Sequence, residues 1–331
     1  MADIVISRKT FDEVLAHFDA AGLTFVHNAG DDALSSDELA RQLRASGATA
    51  LMSVLTDDVD AALLDAAPRL RIVANVAVGY NNVDVDAATA RGIVVTNTPD
   101  VLTETTADLA FALILAAARR LSEADPYMRA GNYKRWQLFQ PHLGLDVYGK
   151  TLGIVGMGRI GSATARRGAL GFNMRLLYTG RRDHQEANSA WGAQRVGLPA
   201  LLRESDFVSL HVPLTDETYH LITARELSMM KPTAILINTA RGPIVKEDDL
   251  VAALQNGVIA GAGLDVYEDE PQMQPGLADR HKHVVLTPHI GSATTETRLR
   301  MSMTAAKNIN AMLQNRRPPN VVNPDVIGGN E

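Results

Sequence analysis

The chain has 331 residues, 46% of them hydrophobic and 21% charged, which excludes a mainly disordered or fibrous protein and leaves room for about two domains. The net charge is −6, so the overall balance gives no reason to seek nucleic acid or an anionic membrane. There is no cysteine, which removes disulfides, thiolate metal sites and a cysteine nucleophile, and fits a cytoplasmic protein.

The first residues, MADIVISRKTFDEV, lack the basic start and long apolar core of a secretory signal. Ile4–Ile6 reads as a strand, and Phe11, Val14, Leu15 and Phe18 then recur at helical spacing. Further strands are predicted at 23–26, 50–54, 71–76 and 93–96, with helices near 36–44, 59–66 and 84–91. Strands alternating with helices predict a parallel sheet covered on both faces, here one α/β unit over residues 1–100. An Ala- and Leu-rich helix is predicted from 105 to 121. Its most apolar part, 109–118, is far shorter than the roughly 20 residues that span a bilayer. The stretch 129–148 (RAGNYKRWQLFQPHLGLDVY) reads as a packed, aromatic-bearing loop. From Thr151 the alternation resumes, with six strands at 152–155, 174–178, 207–211, 234–238, 261–266 and 284–287. A helix at 294–313 and a Pro-rich tail follow. The fold class is therefore α/β, with two parallel-sheet units, the second spanning 101–288.

Gly156-Met157-Gly158-Arg159-Ile160-Gly161 follows the first of these six strands and opens a helix. Strand, glycines and helix stand in the order that binding a dinucleotide pyrophosphate requires. Gly156 permits the tight turn, Gly158 the close approach of backbone to phosphate, and Gly161 the packing of helix on strand. The helix start then offers N–H groups and the positive end of its dipole. An NAD site usually carries Asp or Glu at the end of the next strand, for the ribose hydroxyls. Here Thr179, Gly180, Arg181 and Arg182 stand there, and the first carboxylate is Asp183. Guanidinium groups pair with phosphate, so this segment predicts NADP(H) as the cofactor.

Three later strands end in polar residues: the Asn238–Gly242 run, the 265–271 run with Glu270, and the 287–292 run with His289. Ligands of open α/β sheets sit outside the carboxyl ends of the strands, so Arg241, Glu270 and His289 are predicted to converge. Arginine can hold a carboxylate by two parallel bonds, and histidine can exchange the proton that accompanies hydride transfer. A neighbouring carboxylate favours the imidazolium. His211, ending a strand before Val212 and Pro213, reads as a neighbour of the adenosine. His281 and His283, in a charged stretch, read as a solvated loop, and the histidines show no metal-ligand spacing. No metal is predicted.

These segments carry a resemblance. Val78 to Asp84 (VGYNNVD), Pro99 to Thr105 (PDVLTET), residues 150–161 and 207–218, the NTARGP run from Asn238 and the PHIGSAT run from Pro288 resemble the D-isomer-specific 2-hydroxyacid dehydrogenase family over nearly the whole chain. The resemblance implies two Rossmann-like lobes with a cleft between them, usually in a homodimer. It implies a discontinuous, flavodoxin-like substrate-binding domain at 1–100 plus 289–331, and an NADP-binding Rossmann domain at 101–288. Arg241 would bind the substrate carboxylate and carbonyl, and His289 would donate the proton with Glu270 as its partner. Val78 and Gly79 would offer backbone groups to the substrate, with Leu102 bounding the pocket. Asp265 would contact the nicotinamide end, while Arg159, Ile160, Pro213, Thr218, Thr239, Ala240 and Gly291 would line the cofactor site. In similar reductases the loop bearing Trp136 approaches the partner subunit; core packing is the other reading of this residue. The phosphite-oxidising branch carries lysine where Val78 stands, and the formate branch pairs its histidine with glutamine rather than with a residue like Glu270. The implied activity is NADPH-dependent reduction of glyoxylate and hydroxypyruvate, with 2-keto-D-gluconate as a larger candidate, to D-2-hydroxy acids. The alternative is an NAD(P)H-binding regulatory or corepressor-like module without catalysis.

Overall fold

The computed structural model describes residues 2–279 and 283–327. Its contacts divide the chain into two compact units, 1–102 with 294–331 and 103–293. In the first unit, β1 (Ile4–Ile6), α1 (Asp12–Ala20), β2 (Phe25–His27), α2 (Ser36–Ser46), β3 (Ala50–Ser53), α3 (Ala61–Asp65), β4 (Ile72–Asn75), α4 (Val85–Ala90) and β5 (Val94–Thr96) alternate. All the strands pair in parallel, in the order β2-β1-β3-β4-β5, the flavodoxin-like arrangement. Strands β1, β3, β4 and β5 are buried along their whole length, because helices cover both faces of a parallel sheet. Helix starts are sharply defined by side chains. Ser35 and Glu38 form a reciprocal capping box on α2, and Asp60 and Asp84 accept the N–H groups of Leu63 and Ala87.

The second unit opens with α5 (Thr103–Ala118) and α6 (Leu121–Arg129). Helix α5 is the helix predicted at 105–121, ended early, and α6 is an additional one. Arg120 adopts a left-handed conformation (φ 55°) that stops α5, and its guanidinium pairs with Glu123 at 2.5 Å and donates to the Pro141 carbonyl. Then follow β6 (Thr151–Val155), α7 (Arg159–Phe172), β7 (Arg175–Thr179), α8 (Gln185–Trp191), β8 (Gln194–Arg195), α9 (Leu198–Glu204), β9 (Phe207–Leu210), α10 (Ala224–Leu227), β10 (Ile235–Asn238), α11 (Glu247–Gln255), β11 (Gly261–Leu264) and β12 (Val284–Leu286). The sheet has seven parallel strands, ordered β12-β11-β10-β9-β6-β7-β8, rather than the predicted six. The added strand, β8, is a two-residue exposed edge with no apolar pattern to betray it. The order reverses between β6 and β9, which makes the carboxyl ends of these two strands the switch point where ligands of such sheets bind. Helix α12 (Thr295–Leu313) belongs to the first unit, where it packs on α1, β3 and β4.

The loop at 129–148 differs from its expected packed state. Nearly all of it is exposed, with Trp136 at 70% and Phe139 at 83% of their full accessible surface. This rules out the reading of Trp136 as a core residue of its own chain. His283 is likewise no solvated loop residue, since it is half-buried with its ring Nδ1 2.8 Å from the Ala117 carbonyl oxygen. His281 lies outside the described residues.

Candidate active site

The glycine motif has the geometry of a phosphate cradle. Gly156 has φ +97°, and a Cβ there would meet the His211 carbonyl group at 2.8 Å. A Cβ on Gly161 would stand 2.1 Å from the Gly156 oxygen. Gly158 caps α7 and faces open space, so backbone can approach a ligand there. The helix therefore starts inside the motif, at Arg159 and Ile160, rather than after it. His211 follows β9 with Nε2 2.8 Å from the Ser209 hydroxyl, and burial drives its pKa down to about 3, which makes the ring neutral. Thr218 donates to the Pro213 carbonyl at 2.6 Å and accepts from the Thr215 N–H, which folds this loop back at the switch point. The buried Thr239 hydroxyl meets no partner among the described residues, as expected of a group kept for a ligand or water. These features fit a dinucleotide.

At the end of β7, Thr179 is half-buried, and beyond it Arg181 and Arg182 are exposed. Asp183 is held by its neighbours in the chain. Its carboxylate accepts the Tyr178 hydroxyl at 2.7 Å and the Asn188 amide at 2.9 Å, which hold its pKa down.

The three predicted catalytic residues come together. Asn238, 1% exposed at the end of β10, donates to the Arg241 carbonyl at 2.9 Å and accepts the Ala240 N–H at 3.0 Å, shaping the arginine's loop. Glu270 Oε2 lies 2.8 Å from His289 Nδ1, while its Oε1 accepts the Tyr267 N–H at 3.0 Å. Burial works to raise the Glu270 pKa, but the bond and charge of His289, the Tyr267 N–H and the Arg241 charge outweigh it and hold the carboxyl below its usual range. Arg241 is half-buried; burial lowers its pKa against the opposing charge of Glu270, and it stays a cation.

Asp265 has its task inside the loop. Only 1% exposed, it accepts the Thr287 hydroxyl at 2.6 Å and the N–H groups of Ile290 and Gly291, each at 2.8 Å. Its carbonyl takes the His289 N–H at 2.9 Å. Thr106 closes the turn by donating to the Gly291 carbonyl at 3.1 Å. Thr106 and Thr287 were absent from the sequence-based site. Thr287 could have been found as a hydroxyl at a strand end, whereas Thr106 has no signal in the sequence.

In the first unit, Val78 and Gly79 lie on a loop fixed from below. Asn97 donates to the Val78 carbonyl at 2.8 Å and Asn75 to the Gly79 carbonyl at 3.2 Å. Asn82 ties the same loop to the carbonyls of Val54 and Asp57. The Asp57 carboxylate is buried against Arg8 at 2.6 Å and also accepts from Ser7 and from the Val54 N–H. Leu102 is buried at the end of this unit. Among the described residues there is no cluster of His, Asp and Glu able to hold a metal ion, and no helix long and apolar enough to cross a membrane.

Residues 111–291 match the model of the D-isomer specific 2-hydroxyacid dehydrogenase, NAD binding domain. The chain belongs to this family and is an oxidoreductase of its class. It is 54% identical to a glyoxylate reductase of Thermococcus litoralis over 281 residues, 84% of each chain, and 55% identical to one of Korarchaeum cryptofilum over 285 residues, 86% of this chain and 85% of the other. Among solved structures it resembles the TT0316 protein of Thermus thermophilus (42% identity, TM-score 0.88, covering 96% and 99%). It also resembles an NADPH-dependent glyoxylate/hydroxypyruvate reductase of Sinorhizobium meliloti in complex with NADP and malonate (36% identity, TM-score 0.84, covering 96% of each chain).

The bond between Glu270 and His289 makes a prediction that needs no substrate. The Glu270 titration, followed by NMR of its carboxyl carbon, should have its midpoint below the ordinary glutamate value. His289→Ala removes the largest force opposing burial, so the midpoint should rise. An unmoved midpoint would mean that the two side chains do not hold each other in solution.

Proposed function

We propose that this chain is an NADPH-dependent reductase of small 2-keto acids, glyoxylate and hydroxypyruvate first and 2-keto-D-gluconate as a larger candidate, giving D-2-hydroxy acids. The observation that carries the reading is the Glu270–His289 hydrogen bond beside Arg241, at the carboxyl ends of neighbouring strands. The names borne by the relatives and the malonate-bound neighbour support the substrate class. The non-catalytic binding module is less favoured, because the relatives and the family are enzymes.

The reduced nicotinamide, when bound, supplies the hydride. The chain's own residues do the rest. With Nδ1–H donated to Glu270, the transferable proton sits on His289 Nε2, and the carboxylate stabilises the imidazolium until the substrate oxygen takes that proton. Arg241 holds the substrate carboxylate with its fork and stabilises the charge growing on the carbonyl oxygen. Val78, Gly79 and Leu102 take the substrate-binding role, the first two through peptide planes set by Asn97 and Asn75. Gly156, Gly158, Arg159, Ile160 and Gly161 receive the pyrophosphate, and Thr179, Arg181 and Arg182 the phosphorylated ribose. His211, Pro213, Thr218, Thr239, Ala240, Asp265 and Gly291 complete the cofactor side, Asp265 acting through the turn that it holds.

His289→Ala should lower kcat for glyoxylate reduction by about 10²–10⁴, the usual worth of general acid–base catalysis, and leave NADPH affinity nearly unchanged. A variant that keeps most of its activity would remove His289 from the mechanism.

NADPH preference rests on the two exposed arginines and on the engagement of Asp183 with Tyr178 and Asn188. Thr179→Asp with Arg181→Ala and Arg182→Ala should reverse the preference, because the new carboxylate accepts from a ribose hydroxyl and repels the phosphate. Equal wild-type kcat/KM for NADPH and NADH at low salt would sink this assignment.

A homodimer is the proposed assembly. The exposed arm carries Tyr133, Trp136, Leu138, Phe139, Leu143 and Tyr148, more apolar surface than a monomer usually leaves to water. On the same unit, Phe111, Ala112, Leu115, Leu170 and Phe172 line an open, mostly apolar hollow of about 500 Å³ between α5 and α7. Light scattering should give twice the chain mass, and Phe139→Asp should shift the mass toward one chain. A wild-type monomer at micromolar concentration would overturn the assembly.

A further inference from the structure

Behind the catalytic pair lies a second acid–base pair that the mechanism above does not use. His220 Nε2 is 2.5 Å from Glu268 Oε1, two residues before Glu270. Glu268 Oε2 accepts the Glu247 N–H at 3.0 Å, and Glu247 Oε1 accepts the Glu268 N–H at 2.7 Å, so the two glutamates clasp each other's backbone. Glu247 Oε2 takes the Gln274 N–H at 3.0 Å. Glu247 is only 3% exposed, and burial, with the charges of Glu268 and Asp269, raises its pKa.

His220 also grips the other catalytic loop. Its N–H donates to the Pro243 carbonyl at 2.8 Å, two residues after Arg241. Ile222 and Lys246 extend this pairing, with the Ile222 N–H on the Ile244 carbonyl and the Lys246 N–H on the Ile222 carbonyl. The two loops meet directly as well, since a Cβ on Gly242 would stand 1.7 Å from the Tyr267 oxygen. Tyr219 stacks on the imidazole at 4.1 Å, fixing its plane. Asp249, which takes the Ala224 N–H and lies 3.2 Å from Lys246 Nζ, is another charged group that interacts with His220. His220 is thus joined by its backbone to the segment of Arg241 and by its ring to the segment of Glu270.

We propose that His220 is a positioning residue of the reaction: acting through Glu268, it holds the 267–270 turn where Glu270 can take the Tyr267 N–H and His289 together. The inference rests on the Glu270–His289 role assigned above. A surface ion pair serving stability alone would have no reason to bridge both catalytic loops.

The test compares the wild type with His220→Ala and His220→Gln. The glutamine amide can still donate to Glu268. His220→Ala should lower kcat for glyoxylate by about tenfold to a hundredfold, the scale of a misplaced catalytic group, with KM and NADPH affinity within about twofold. The NMR midpoint of Glu270 should rise as its bonds loosen, and His220→Gln should restore both. Retained NADPH binding shows that the variants are folded, as expected for a ring already partly exposed. A His220→Ala enzyme with an unmoved Glu270 midpoint overturns the inference, as does one with wild-type kcat. Should the wild type fail to reduce glyoxylate, the functional reading falls, and the Glu270 titration still decides the role of His220.

Discussion

The second unit depends on one buried carboxylate. Asp265 follows β11 directly and is almost fully removed from water, yet its oxygens accept three bonds and its carbonyl a fourth. Burial alone would favour the neutral acid, and it does raise the pKa of Asp265, against the Thr287 hydroxyl, the Ile290 and Gly291 N–H groups and the charge of His289. Those bonds wrap the chain around the carboxylate. His289 reaches its position only because the turn accepts a left-handed residue there (φ 52°), a conformation that a non-glycine residue holds when its surroundings impose it. Were Asp265 not satisfied in this way, the ring of His289 would have no fixed relation to Glu270.

Four carboxylates, those of Glu247, Asp265, Glu268 and Glu270, share this end of the sheet. Crowding like charges in a half-buried space is costly, and the structure offsets it with directed N–H groups more than with cations. Glu247, Glu268 and Glu270 each take at least one backbone N–H, and Asp265 takes two. The rings of His220 and His289 then meet carboxylate oxygens that the N–H groups leave over. Glu270 spends its oxygens on Tyr267 and His289, and the Arg241 charge also acts on it.

Much of this was legible in the sequence, for identifiable reasons. A buried parallel strand must be apolar throughout, so short apolar runs marked nearly every strand. A pyrophosphate turn must have glycine at three places, and each of the three is excluded from a side chain by geometry or by the ligand it would face. Polar runs just past strand ends marked Arg241, Glu270 and His289, since ligands of an open α/β sheet sit outside the carboxyl ends of its strands. What was not legible depends on partners far apart in the chain. The two residues of β8 have no pattern of their own. Arg120 breaks a helix of good formers through its conformation and its hold on Glu123 and Pro141, and neither is visible in composition. The arm at 129–148 reads as packed because its aromatics are those of a buried segment; the structure leaves them exposed on a single chain. The clasp of Glu247 and Glu268 runs between backbone and side chain, so residue type alone does not announce it.

The first unit obeys the same constraint with different chemistry. Ser53, Asn75 and Thr96 end β3, β4 and β5, all fully buried, just where the strands run out. Inside a strand every backbone group is paired with its neighbours, and both faces are covered by apolar side chains, so a polar side chain finds few partners; the buried Ser209 of β9 finds one in His211, just past the strand end. At the carboxyl end the ladder stops, carbonyls and N–H groups turn into loops, and a buried amide or hydroxyl can satisfy them. Asn75 reaches Gly79 and Asn82 from such a position, and Asp57 gathers Arg8, Ser7 and Val54 a few residues beyond β3. A buried ion pair is weak evidence for stability, because replacing it with well-packed apolar groups is often neutral or better. Its persistence beneath the Val78–Gly79 loop is better explained by what it shapes. In each unit, polar groups buried at the carboxyl ends of the strands fix loops whose backbone would otherwise have no single conformation to present to a ligand.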